Sequence, residues 1–167
     1  KAMSSRLEEY FLMIPKILSI VTDPDPVLRA RAAEIILSDW KREDLESLAA
    51  DMTLTMKKAP GVGLAAPQIG KSIRLILVEH APTPLALINP VIVKKPWRKV
   101  LMDEGCLSVP GKFGVIKRYP WVLVRAQYID GSPFEMKAEG LLAEIFQHEI
   151  DHLDGILYID KVEKILK

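Results

Sequence analysis

The chain has 167 residues, 49% of them apolar and 27% charged, with 23 Lys plus Arg against 22 Asp plus Glu and a net charge of +1. That length buries a core without staples, and that composition excludes disordered, collagenous and coiled-coil chains. The near-neutral balance gives no large basic field of the kind that predicts phosphate-backbone binding, so a nucleic acid is not the expected partner, and Cys106, the single cysteine, forms no internal disulfide and suits a reducing compartment.

In chain order, the sequence opens on Lys1 and not on Met, so residues 1–16 read as an N-terminal extension or processing remnant, with Met3 a candidate natural start. The longest apolar stretch, Phe11 to Val21, is broken by Pro15 and Lys16. It falls short of the roughly 18 residues of a membrane span, and neither membrane insertion nor a secretory signal is expected. Leu45, Leu48, Ala49, Met52 and Met56 then recur at helical spacing, and Lys57 and Lys58 stand where a helix dipole is negative. With Pro60-Gly61 as the stop, this predicts a helix over 42–58. Gly61 to Gly70 follows as an extended, glycine-permissive segment, and 73–78 and 85–93 are short, branched runs that read as strands. Glu104 to Ser108 reads as a glycine-containing turn presenting Cys106. Residues 121–128 and 133–137 flank Asp130-Gly131 and predict a hairpin. After Gly140 the period changes, and Leu141, Ile145, His148 and His152 fall on one helical face. No repeat, low-complexity tract or linker divides the chain, so 1–167 reads as one domain. The fold expected is α+β, with mixed and antiparallel sheets packed around the helix that carries the two histidines.

Two imidazoles one turn apart on an apolar stripe bring buried nitrogens that need partners, and a metal is the simplest partner. His148-Glu149-Ile150-Asp151-His152 is the H-E-x-x-H pattern, which aims two nitrogens at one ion and a carboxylate at the water beside it. The third ligand separates reaction classes. Only 15 residues follow His152, with Glu163 their one glutamate, which leaves little room for the downstream ligand of thermolysin-type peptidases. The metzincin extension finds Gly155 in place but Tyr158 where its histidine belongs. Cys106 supplies a thiolate upstream, so Cys106, His148 and His152 are the expected ligands. Gly61, Gly63 and Ala66 match a dinucleotide fingerprint, but their order of helix, loop and strand is wrong for it, and Pro67 opposes a helix there. The segment reads instead as backbone that approaches a ligand, with Gln68 as an amide donor.

Gly61 to Gln68 (G-V-G-L-A-A-P-Q), Glu104 to Ser108 (E-G-C-L-S) and Gln147 to Gly155 (Q-H-E-I-D-H-L-D-G) together resemble the three signature motifs of the peptide deformylases, in that order and at similar separations. Asp23 to Arg29 and Ile88-Asn89-Pro90 add to a resemblance that runs from Ile17 to Val162. It implies removal of the formyl group from the N-terminal formylmethionine of nascent chains, with release of formate. Carried over, Cys106, His148 and His152 hold the metal, Glu149 moves the proton, and the Gln68 side-chain amide and Leu107 N–H donate to the carbonyl oxygen. The peptide would lie as an added strand against Val62-Gly63 and near Gly105, its methionine in a pocket of Val62, Leu141, Ile145 and the carbon face of His148. The family carries arginine or an apolar residue where this chain has Glu144, which bears on how strictly methionine is read. Arg118 is assigned to structural ion pairing, with Glu104 and Asp151 behind the ligands. The resemblance implies one divalent ion, Fe2+ in the cell, with Zn2+, Ni2+ or Co2+ as alternatives. It also implies the ribosome near the exit tunnel as a partner, no DNA or membrane partner, and a bacterial-type cytoplasmic location with an organelle as the alternative. The 15 residues after His152 leave little of the C-terminal helix that docks some bacterial members on the ribosome. Two competing readings are a metal-dependent endopeptidase and a structural metal site closed by His80, otherwise a surface histidine.

Overall fold

The computed structural model describes residues 14–166. Met3 and the rest of 1–13 lie outside the described residues, whereas the end of the expected extension is tied down: the Lys16 N–H donates to Asp51 at 2.6 Å. Helix α1 (Arg42–Lys58) has the bounds that its periodicity predicts, with Lys57 and Lys58 in its last turn. It is followed by strands β1 (Gly63–Ala65), β2 (Leu75–Val78) and β3 (Leu85–Lys94). Next come β4 (Val100–Cys106), β5 (Val109–Arg118), β6 (Trp121–Gln127) and β7 (Pro133–Glu139), then helix α2 (Gly140–Leu153) and strand β8 (Val162–Leu166).

The strands form two sheets, one in the order β1-β2-β3-β6-β7 and one in the order β4-β5-β8, and every neighbouring pair is antiparallel. Parallel pairing among the described residues is confined to an isolated bridge between Ala33 and Ile73. A helix covers each face of the five-stranded sheet, which explains why β2 is apolar at every position. Leu75 and Leu77 join Leu45, Met52 and Met56 of α1, while Ile76 and Val78 join Phe146, Ile150 and Leu153 of α2. A third cluster, with Leu28, Ile116, Leu157 and Tyr158, lies under the smaller sheet. The expected hairpin is β6–β7, with Gln127 opposite Pro133.

Two expectations change. Gly61 to Gly70 is extended only over β1, and Ala66–Ile69 forms a single 3-10 turn. Pro67 is tolerated in its first turn, where the missing N–H has no helical acceptor to lose. Cys106 does not sit within a turn: Glu104, Gly105 and Cys106 are the end of β4, and the chain turns after them.

Candidate active site

Helix α2 starts without a connecting loop, because Gly140 takes a φ of +57°, a left-handed conformation that glycine adopts without strain, and turns β7 directly into the helix. The face buried on the sheet is Ala143, Phe146, Ile150 and Leu153. The predicted stripe runs beside it, from solvent to floor: Leu141 is 62% exposed, Ile145 7% and His152 1%. The histidines therefore look across to the smaller sheet, where β4 brings Cys106. The register shift between Gly105 and Cys106 re-aims the thiol, as bulges near active sites commonly do.

Cys106 Sγ lies 3.2 Å from His152 Nε2, and one ligand atom from each of Cys106, His148 and His152 falls within 4.8 Å of the other two. His148 Nδ1 contacts Glu104 Oε2 at 2.9 Å, which leaves Nε2 for the shared space. Glu149 Oε2 is buried beside them with no hydrogen-bond partner among the described residues. One soft donor, two imidazoles and an orphaned carboxylate oxygen fit a catalytic divalent ion with an open position. Among the described residues this is the one such grouping, and half-buried His80 stands outside it.

Charged groups hold this geometry from behind. Arg118 forks onto Glu104 at 2.5 and 3.0 Å and reaches Asp151 at 2.6 Å, and Asp151 also receives Lys161 at 2.8 Å. Burial alone would raise the Glu104 carboxyl, but the hydrogen bonds of His148 and Arg118 outweigh it and hold it at about 2. Burial pushes the Glu149 carboxyl up to about 7. The expected pairing role of Arg118 and the positions of Glu104 and Asp151 behind the ligands agree with these contacts.

Gln68 is oriented by its own turn: Oε1 accepts from the Ala65 N–H at 2.8 Å, so Nε2 points at Cys106 Sγ, 3.7 Å away, and donates to Ser108 Oγ at 3.3 Å. Around these groups lies a cleft of about 530 Å³. Val62, Gly63, Gln68, Gly105, Leu107, Leu141, Ile145 and Glu149 all line it, with Cys106 and His148 at its base, while His152 sits beneath the surface. Gly63 is constrained here, because a β-carbon would run into the Glu149 carboxylate and come within 2.9 Å of Ile145 Cγ2. Glu144 lines the mouth, its carboxyl raised to about 6 by partial burial and by the Glu104 charge.

Phe113 is a wall residue that the sequence did not suggest. It pairs with Gly105 across β4 and β5 and is 59% exposed, and a β-carbon on Gly105 would meet its ring at 2.7 Å. Its one signal was the glycine itself, uninformative until the register is known.

The family model for polypeptide deformylase matches residues 17–167. A peptide deformylase of Dictyoglomus thermophilum is 46% identical over 144 residues, covering 86% of this chain and 92% of that protein. One of Syntrophobacter fumaroxidans is 47% identical over 158 residues, covering 90% and 89%. Among solved structures, the peptide deformylase of Thermotoga maritima superposes with a TM-score of 0.83 at 39% identity, covering 88% of this chain and 98% of that one. That of Legionella pneumophila gives 0.82 at 42% identity, covering 88% and 86%.

Proposed function

The chain belongs to the peptide deformylase family, metallohydrolases that remove the N-formyl group from nascent peptides, and on that premise we propose how its own residues divide the work. The observation that carries the assignment is the convergence of Cys106, His148 and His152 within 4.8 Å, beside the unpartnered Glu149 Oε2. These three residues hold one divalent ion, Fe2+ in the cell, although the donor set also suits Zn2+, Co2+ and Ni2+. When bound, such an ion supplies Lewis acidity and a water acidified toward neutrality.

Glu149 takes a proton from the attacking water and passes it to the amine nitrogen as the formyl C–N bond breaks, which frees formate and the new amino terminus. Burial raises the affinity of Glu149 for the proton it must hold between those two steps. As the formyl oxygen gains charge, Gln68 Nε2 and the Leu107 N–H donate to it, and losing one such donor lowers kcat by about 10² to 10³. The amide cannot turn the wrong way without breaking its bond to the Ala65 N–H. β1 and β4 are edge strands of separate sheets and both border the cleft. A peptide added between them at Val62-Gly63 and Gly105 is held by main-chain hydrogen bonds that serve many sequences. Val62, Leu141, Ile145 and the carbon face of His148 receive the methionine side chain, with Glu144 at its rim. We take the whole chain as one catalytic domain acting in a bacterial-type cytoplasm near the ribosomal exit. No helix among the described residues is long and apolar enough to cross a membrane.

Formate release from a formyl-Met peptide by anaerobically prepared, Fe2+-loaded protein tests the reading, beside a Glu149→Ala variant of equal metal content. The wild type should turn over, with the variant slower by about 10² to 10⁴. No release from fully metallated wild type, or an undiminished variant, would overturn it.

A further inference from the structure

The end of β3 and the loop that leads from it to β4 concentrate charge that the chain as a whole lacks. Lys94, Lys95, Arg98 and Lys99 stand within six residues with no acid between them, and all four are exposed. None makes a salt bridge with a carboxylate among the described residues, although pairs occur elsewhere on the surface, such as Arg125 with Glu135 and Lys117 with Glu163. At the tip of the loop Trp97 is 88% exposed, with the Arg98 guanidinium 5.3 Å from its ring centre. Below it Lys95 and Lys99 both sit over the Tyr119 ring, at 4.8 and 5.0 Å. Cation–π contact thus holds two ammonium groups in place over Tyr119, near an exposed indole that has Arg98 over one face.

From this juxtaposition we infer that the β3–β4 loop binds single-stranded RNA, its cations meeting successive phosphates and Trp97 stacking on an unpaired base. Sequence-tolerant binding to single strands needs that combination of a cationic track and an open aromatic face. An acidic peptide would use the cations and leave the indole in water. An anionic membrane surface would attract the same cations, and the vesicle arm of the test below separates it from RNA. The net charge of +1 argues against a field spread over the molecule, not against a local one. The loop enters β4 at the end opposite Cys106, about 20 Å away at ~3.3 Å per residue, so the inference does not depend on the catalytic assignment.

The test uses metal-loaded enzyme and a labelled 12-nucleotide RNA of mixed sequence, followed by fluorescence anisotropy. Binding should weaken by roughly tenfold or more between 50 and 200 mM salt, as release of a few counterions requires. Trp97→Ala should weaken it by about tenfold, and Arg98→Glu with Lys99→Glu should abolish it. Both variants should retain wild-type formate release from a short formylated peptide, which reports an intact fold. No binding by wild type up to ~100 μM, the weak end of sequence-independent affinity, would overturn the inference. An unchanged affinity in Trp97→Ala, equal binding of polyglutamate, or tighter binding to phosphatidylglycerol vesicles than to RNA would also overturn it.

Discussion

Two regions of this molecule are equally withdrawn from water and owe their cohesion to opposite causes. Between α1 and the five-stranded sheet, Leu45, Met52, Met56, Leu75, Leu77 and Ile88 are buried together as an apolar cluster. Between α2 and the smaller sheet, Glu104, Arg118, Glu149 and His152 are each 1–3% exposed, and all four are polar. The first region gains from apolar area removed from water, a diffuse term shared among neighbours. In the second, the charges of Glu104 and Arg118 are tolerable only while each has the other, and Glu149, with Oε2 unpartnered, is pushed toward its neutral form. Burial is thus a common outcome, and what differs is how far damage spreads from one altered side chain.

Substitutions that keep size but change chemistry should separate the two regions. The largest effect is expected from Glu104→Gln, which is nearly isosteric yet leaves Arg118 buried without its main counter-charge. About 3–5 kcal/mol of stability should be lost in urea unfolding, and metal affinity in a chelator competition should drop roughly 10- to 100-fold because the acceptor that orients His148 loses its charge. Retention of both would mean that the network is ornamental. In the apolar region, Met52→Ala should cost about 2–5 kcal/mol by opening a cavity, whereas Met52→Leu should cost less than about 1.5 kcal/mol. In both, formate release per folded molecule should match the wild type, and a fall in kcat would couple the regions after all.

The smallest effect lies at the boundary, at Glu144. Its carboxyl is raised to about 6 from an ordinary 4.5, so the folded state holds the proton more tightly than the unfolded chain does. Its contribution to stability is therefore complete below pH 4.5 and fades as the pH rises through 6. Glu144→Gln should flatten that part of the urea-midpoint profile, by a modest amount because the group is half exposed and screened. An unaltered slope would remove Glu144 from the titration.

How much of this was legible in the sequence follows the same division. Helix α1 was readable, with its approximate bounds, because its apolar period is uninterrupted and Pro60-Gly61 ends it, and the β6–β7 hairpin because Asp130-Gly131 marks the turn. The residues of the cleft were readable as motifs, since few backgrounds place Cys106, His148 and His152 in such company. The β4–β5 hairpin was not. Of the seven residues of edge strand β4 only Glu104 is buried, so no apolar alternation announces it. Without its register, neither the Glu104–Arg118 fork nor Phe113 against Gly105 could be placed. The 3-10 turn at Ala66–Ile69 escaped for a local reason, because a proline that forbids a helix interior is acceptable in a first turn.

The cleft draws its walls from three stretches far apart in the chain, around Val62, Cys106 and His148. Closing the loops between them is entropically slow compared with winding a single helix, so the site is among the last parts of the molecule to come into being. During refolding, helical ellipticity should recover before formate release does, and in that interval the protein holds much of its secondary structure while having no chemistry to perform.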